Sequence, residues 1–314
     1  MNRKHYLFKG VFPVLAAAIL WSFSYFIRKF LVIGPFTITF VYCASAALAL
    51  YAAVPGSFAG LRARCAGKEK WLLAMALLST VAGMTAMNVG LKLVDLGVAT
   101  ILEKTQTIFT VIVASWWLGE TLARKSFLLG LIGIIATVGL APSAHGLNPQ
   151  LDKQTVEGFA AVATAALVWS FSGILGRKLS KEGMRAMDMS LVRAVIGTLA
   201  SLPLMLAFEP ATLHASVCWR SLALAAFGGV ISGGIGYIFY YHGLKTVSAG
   251  VASMLELSTP VISVILGIFF LGERMSVLQW VSSAVLMGCV MSLIWIESRR
   301  HQAIMEAAVR RGRA

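Results

Sequence analysis

Charge is scarce in this chain. Asp, Glu, Lys and Arg make up 13% of its 314 residues, about half the roughly 25% of an ordinary soluble domain. With 58% hydrophobic residues and a mean hydropathy of +0.81, that shortage excludes a disordered chain, a nucleic-acid-binding domain and an ordinary cytosolic enzyme. Acid is scarcer than base: 13 acidic residues face 27 basic ones, a net charge of +14. The basic residues do not gather on one polar face, as a nucleic-acid binder requires. They sit in short links between long apolar runs. Cysteine is scarce too. Cys43, Cys65, Cys218 and Cys289 show no CxxC spacing, so neither a disulfide framework nor a zinc site is expected. GxxxxGK[ST], HExxH and GxSxG are absent, and the five histidines fall at or beyond the ends of the apolar runs. ATP-driven transport and intramembrane catalysis therefore lack their residues, and no cofactor is expected.

What the chain has in abundance is apolar length. A membrane helix needs roughly 20 mostly apolar residues. Ten such runs can be marked: 11–32, 35–54, 71–93, 97–118, 126–143, 157–176, 187–207, 219–242, 247–271 and 276–296. The expected fold is an all-α integral membrane protein with ten transmembrane helices. The first run is too long for a cleaved signal peptide, and its central motif recurs later. With both termini on the cytoplasmic side, the inner segments carry 19 Lys and Arg and the outer segments 6. That bias orients the chain N-in and C-in and places its charge at the anionic inner leaflet.

The chain also repeats itself. Trp21-Ser22-Phe23-Ser24 recurs as Trp169-Ser170-Phe171-Ser172, each followed by a basic pair. Gly90–Glu103 and Gly243–Glu256 are identical at nine of fourteen positions, at a constant offset of 153. The same offset aligns Leu118-Gly119-Glu120 with Leu271-Gly272-Glu273. Shared apolar bias would not keep Gly, Lys and Glu in register. The organisation read from this is a first repeat over 11–143, a second over 157–296, and a basic cytoplasmic tail over 297–314. Five spans is an odd number, so the halves enter the membrane with opposite polarity, as two inverted five-helix repeats.

These motifs resemble the drug/metabolite transporter superfamily, specifically its ten-span proteins with two tandem EamA domains. The resemblance covers about 11–296. It rests on the Trp-Ser pairs of spans 1 and 6, the Gly-Leu-Lys exits of spans 3 and 8 and the Leu-Gly-Glu ends of spans 4 and 9. Thr259-Pro260-Val261 also matches, whereas Gln106-Thr107-Ile108 lacks the proline. The resemblance implies export of amino acids, other metabolites or drugs, with import in some relatives, from a bacterial cytoplasmic (inner) membrane.

Ionisable groups inside a span mark functional candidates. Glu103 and Lys104 in span 4, Arg193 in span 7 and Glu256 in span 9 stand out. Counting 1.5 Å per residue puts Glu103 and Lys104 roughly 10 Å below the outer face, and Glu256 and Arg193 roughly 10 Å below the inner one. One carboxylate is thus expected near each entrance. Glu103 and Glu256 are repeat equivalents, read either as a proton or ammonium site or as structural ion-pair partners. Arg193 has three readings: pairing with Glu256, holding a substrate carboxylate or phosphate, or snorkelling. Its first-half equivalent is Tyr42. Lys104 has no charged equivalent, which suits an asymmetric substrate contact. Pro260 removes an N–H, so the carbonyl of residue 256 is expected to lose its helical partner.

Trp21 and Trp169 lie mid-span, as cavity walls or as core. Tyr237 is a further cavity candidate, and Asn88 and Gln106 offer hydrogen bonds. Tyr240 and Tyr241 read as interfacial anchors. Gly229 and Gly233 in span 8, and Gly130 and Gly133 in span 5, read as close-packing positions. Glu120 and Glu273 read as caps of spans 5 and 10. No metal site is expected. The function expected is a secondary-active transporter exporting a small polar or amphipathic, amino-acid-like metabolite by alternating access, with protons as a coupling partner and lipids as surroundings. Import, exchange, multidrug export and a non-transporting scaffold are the alternatives.

Overall fold

A computed structural model describes residues 3–28, 30–54, 56, 59–94, 96–120, 122–138, 153–210, 218–271 and 276–311. Among the described residues every regular element is helical. The helices are α1 (Lys4–Arg28), α2 (Pro35–Ala53), α3 (Leu61–Cys65), α4 (Glu69–Leu93), α5 (Leu96–Glu103), α6 (Gln106–Leu118), α7 (Arg124–Val138), α8 (Lys153–Lys181), α9 (Ala186–Phe208), α10 (Trp219–Gly243), α11 (Ala249–Leu255), α12 (Ser258–Leu271) and α13 (Val277–Arg311). Seven helices among the described residues are long and apolar enough to cross a membrane. Their outer faces stay apolar: Trp116 is 86% exposed and Phe269 80%. A soluble monomer rarely leaves such a surface open; lipid tails are its natural solvent.

Two departures from the sequence expectation fall on spans 4 and 9. Each is broken in the middle rather than continuous. Helix α5 stops at Glu103 and α6 starts at Gln106; α11 stops at Leu255 and α12 starts at Ser258. The same hydroxyl bond accompanies both breaks. Thr105 Oγ1 donates to the Leu102 carbonyl at 2.7 Å, and its repeat equivalent Ser258 Oγ donates to the Leu255 carbonyl at 2.8 Å. Hydroxyls that bond back to the chain compete with the helical ladder. Tight turns then take up the freed groups: Thr107 N–H donates to Lys104 O at 3.1 Å, and Thr259 N–H to Glu256 O at 2.9 Å. The carbonyl of Glu256 is therefore not orphaned by Pro260, contrary to expectation. The first-half break also forms with no proline.

The helices pair across the two sequence halves. Helix α1 packs on α12 and α8 on α6; α2 packs on α9; α7 packs on α13; α8 packs on the second half of α4, and α1 on α10. Each contact has a counterpart with the halves exchanged. The largest buried core draws on both halves at one end of the bundle, with Val11, Leu72, Met75, Leu179, Met189 and Leu244 among its members. Helix α13 does not stop near 296 but continues unbroken to Arg311. It leans on the start of the chain, where Tyr6 stacks on His301 with ring centroids 4.7 Å apart.

Candidate functional site

Two short π-helical stretches interrupt α4 and α10, at Leu78–Ala82 and Gly229–Gly236. Such irregularities often mark functional positions. Here they receive the repeated Trp-Ser motif. Trp21 Nε1 donates to the Ser232 carbonyl at 3.2 Å, and Trp169 Nε1 donates to the Ser79 carbonyl at 3.0 Å. Ser79 and Ser232 are 153 residues apart. The neighbouring serines reach the helix breaks: Ser22 Oγ donates to the Thr259 carbonyl at 3.2 Å and Ser170 Oγ to the Gln106 carbonyl at 3.0 Å. Each Trp-Ser pair thus holds the broken helix and the π stretch of the other half.

Between these grips lies a cavity lined by both halves. Trp21, Trp169, Tyr237, Gln106, Glu103 and Glu256 line it, all expected candidates. The two carboxylates share this one cavity; they do not sit at opposite entrances. The breaks explain the difference, because both bring their acidic residue to the middle of the bundle. Irregular backbone at membrane depth is tolerated where it lines such a cavity. Glu256 and Tyr240 both line the cavity, and Glu256 Oε1 has no protein partner among the described residues.

The remaining candidates sit behind the wall. Lys104 Nζ pairs with Glu103 Oε2 at 2.8 Å, both side chains 4% exposed, so it is a partner of the carboxylate and not a cavity contact. Arg193 does not pair with Glu256 or snorkel. Its Nε donates to Ser79 Oγ and its Nη1 to the Gly233 carbonyl, both at 3.1 Å, and its guanidinium lies 3.4 Å from the Tyr237 ring centroid. Tyr42 is fully buried and accepts a 3.3 Å hydrogen bond from Ser24. Asn88 holds Pro35 O and Thr39 Oγ1 with its amide and takes Arg28 Nη1 at 3.1 Å on its Oδ1.

Arg28 is a cavity residue that the sequence reading did not single out as a site candidate. It ends α1, lines the cavity and lies over the Tyr25 and Tyr42 rings at 5.5 and 4.9 Å. Its place directly after a repeated motif was the available signal. Tyr240, expected at the interface, also lines the cavity, and Tyr241 is buried in the core.

The end of the bundle that carries the large core is tied by Glu120. It does not cap α7. Its Oε1 accepts from Arg177 Nε at 2.7 Å and Lys181 Nζ at 3.1 Å, and its Oε2 accepts from the Ala249 N–H at 2.9 Å. Arg177 Nη1 also donates to the Leu244 carbonyl. Gly119 supplies the left-handed turn (φ 62°) that delivers Glu120 to this place. The equivalent Gly272 and Glu273 lie outside the described residues. Gly229 is a close-approach position: a Cβ there would stand 2.7 Å from Tyr42 Cα, while one on Gly233 would make ordinary contact with Ala46 at 3.4 Å. Gly130 and Gly133 face Met254 and Leu257 beside the second break.

Comparison with known proteins agrees with this architecture. The chain is 24% identical to the uncharacterized transporter YoaV of Bacillus subtilis (strain 168), over 66% of this chain and 70% of that one. It is 22% identical to an uncharacterized transporter of Clostridium kluyveri, over 86% and 88%. A protein crystal structure superposes with a TM-score of 0.76 at 19% identity, covering 92% of this chain and 97% of its own, and shares the fold. The sequence profile of the EamA-like transporter family matches residues 8–141 and again 157–295. A membrane-embedded helical bundle, a cavity walled by both halves and a family profile matching each half identify the chain as a member of the EamA-like transporter family.

Proposed function

We propose that the protein is a secondary-active exporter of a small amphipathic, amino-acid-like metabolite, working by alternating access in a bacterial inner membrane. Spans 4 and 9 cross as broken helices, giving ten crossings in two inverted five-helix repeats with both termini cytoplasmic. One observation carries the reading: Glu103 and Glu256, equivalent in the repeat, flank one cavity at two matching helix breaks. Discontinuous helices at an interface between repeats are how secondary transporters build substrate and ion sites.

The cavity contains what such a substrate needs. Carboxylates receive an ammonium group or a proton, Arg28 receives an anionic group, and the indoles of Trp21 and Trp169 flank the apolar part. The ties of Glu120 and the large core close the end assigned to the cytoplasm. Protonation of the carboxylates then couples the proton gradient to the opposite swing.

Untargeted mass spectrometry of medium and cytosol tests the proposal. Cells making the wild type are compared with cells making Glu103→Gln/Glu256→Gln at matched membrane levels. One compound class should accumulate outside with the wild type only. Identical profiles, together with no substrate-driven uptake by everted vesicles, would refute export through this site.

A further inference from the structure

We infer that Arg193 is a positioning residue: its guanidinium is the crossbar that couples the two indole walls of the cavity. The inference rests on the cavity being the transport site, but its test does not depend on transport.

Arg193 is 1% exposed and belongs to α9 in the second half. It does not line the cavity. Its two donating arms reach one π stretch from each half, at Ser79 and Gly233. Ser79 offers its carbonyl to Trp169, and Ser232, next to Gly233, offers its carbonyl to Trp21. The connection therefore runs Trp169, Ser79, Arg193, the Ser232–Gly233 peptide, Trp21. The flat face of the same group supports Tyr237, a third wall. Only a planar fork with fixed donors serves two acceptors and an aromatic face together. A lysine ammonium is a point charge on a flexible stem and cannot. The carbonyls of a π stretch lack some regular helical partners, so the donors of Trp21, Trp169 and Arg193 decide how these stretches sit.

The two halves are not equal in this respect. In the first half the Arg193-equivalent position holds Tyr42, and the stacked cation is Arg28, which faces the cavity. One arginine is thus available to the substrate, and the other fixes the walls around it.

The test uses the full-length protein labelled with 5-fluorotryptophan and followed by ¹⁹F NMR. Trp21→Phe and Trp169→Phe assign two of the eight resonances. In Arg193→Gln both assigned resonances should shift while the other six hold. Arg193→Lys should fail to restore them. Ser79→Ala removes one arm and keeps the carbonyl that Trp169 uses; it should still move the distant Trp21 resonance, and should no longer do so in the Arg193→Gln background. A Trp21 resonance indifferent to Ser79→Ala overturns the crossbar. So does Arg193→Gln shifting all eight resonances, which would mark a general packing role.

Discussion

Ser170 donates its hydroxyl to the main-chain carbonyl of Gln106, 64 residues away, at 3.0 Å. Ser22 makes the counterpart bond to Thr259. In each case a serine on an unbroken helix reaches the start of the broken helix from the other half. These carbonyls lie at the start of a helix, where the unpaired groups are N–H rather than C=O, so each serine adds a bond from the partner half to a carbonyl of the helix. The cavity is therefore a product of the contact between halves, and substitutions should be judged by which half-to-half contact they touch.

The carboxylates come first. Glu103→Gln and Glu256→Gln keep side-chain volume and remove the charge. Each should lower transport by at least roughly tenfold, equivalent to about 1.4 kcal/mol on the barrier. Expression and elution as a single species by size-exclusion chromatography should match the wild type. A folded double variant with full flux would remove both residues from the mechanism.

Gly229 and Gly234 make a matched pair. A Cβ on Gly229 meets Tyr42 Cα at 2.7 Å and Tyr42 O at 2.5 Å, whereas a Cβ on Gly234 meets nothing nearer than 3.7 Å. Backbone cannot yield as a side chain can, so Gly229→Ala should cost about 1–3 kcal/mol through overpacking. Gly234→Ala should be close to neutral. Thermal unfolding in detergent distinguishes them, and equal melting temperatures would contradict the close approach of α2 and α10.

Glu120 is 9% exposed as a side chain and Arg177 10%. Glu120→Gln leaves the guanidinium buried without its counter-charge, a loss of about 3–5 kcal/mol. Arg177→Gln alone should cost a similar amount. The double variant should cost less than the sum, because it removes both charges together. Additive losses in the same unfolding assay would show that the two do not act as a pair.

Cys218 reports orientation. It is exposed, while Cys43, Cys65 and Cys289 are buried. The Ser221 side chain and backbone hydrogen-bond its sulfur and hold its pKa below the ordinary thiol range. More of it is therefore thiolate at neutral pH, and its labelling should rise at lower pH than that of a free thiol. A membrane-impermeant maleimide should label Cys218 in intact spheroplasts and leave Cys218→Ser unlabelled. Labelling only after permeabilisation would reverse the assigned topology.

Much of this was legible in the sequence. Membrane residence is a property of composition, since lipid accepts apolar side chains and penalises charged ones wherever the chain goes. The repeat is a property of residue order; it pairs Glu103 with Glu256 and Trp21 with Trp169, and all four line one cavity. Which groups meet was a different matter. Residue counting along ideal helices set Glu103 and Glu256 at different depths and Arg193 beside Glu256. The structure breaks both helices at Thr105 and Ser258, gathers the carboxylates at one cavity, and places Arg193 between Ser79 and Gly233. It also turns Arg28 and Tyr240 inward. A local helix break has no periodic signature, and contacts between residues 64 to 237 positions apart depend on how the two halves dock. The sequence by itself determined the solvent and the tandem repeat; only the packing of one half against the other decided which residues line the cavity.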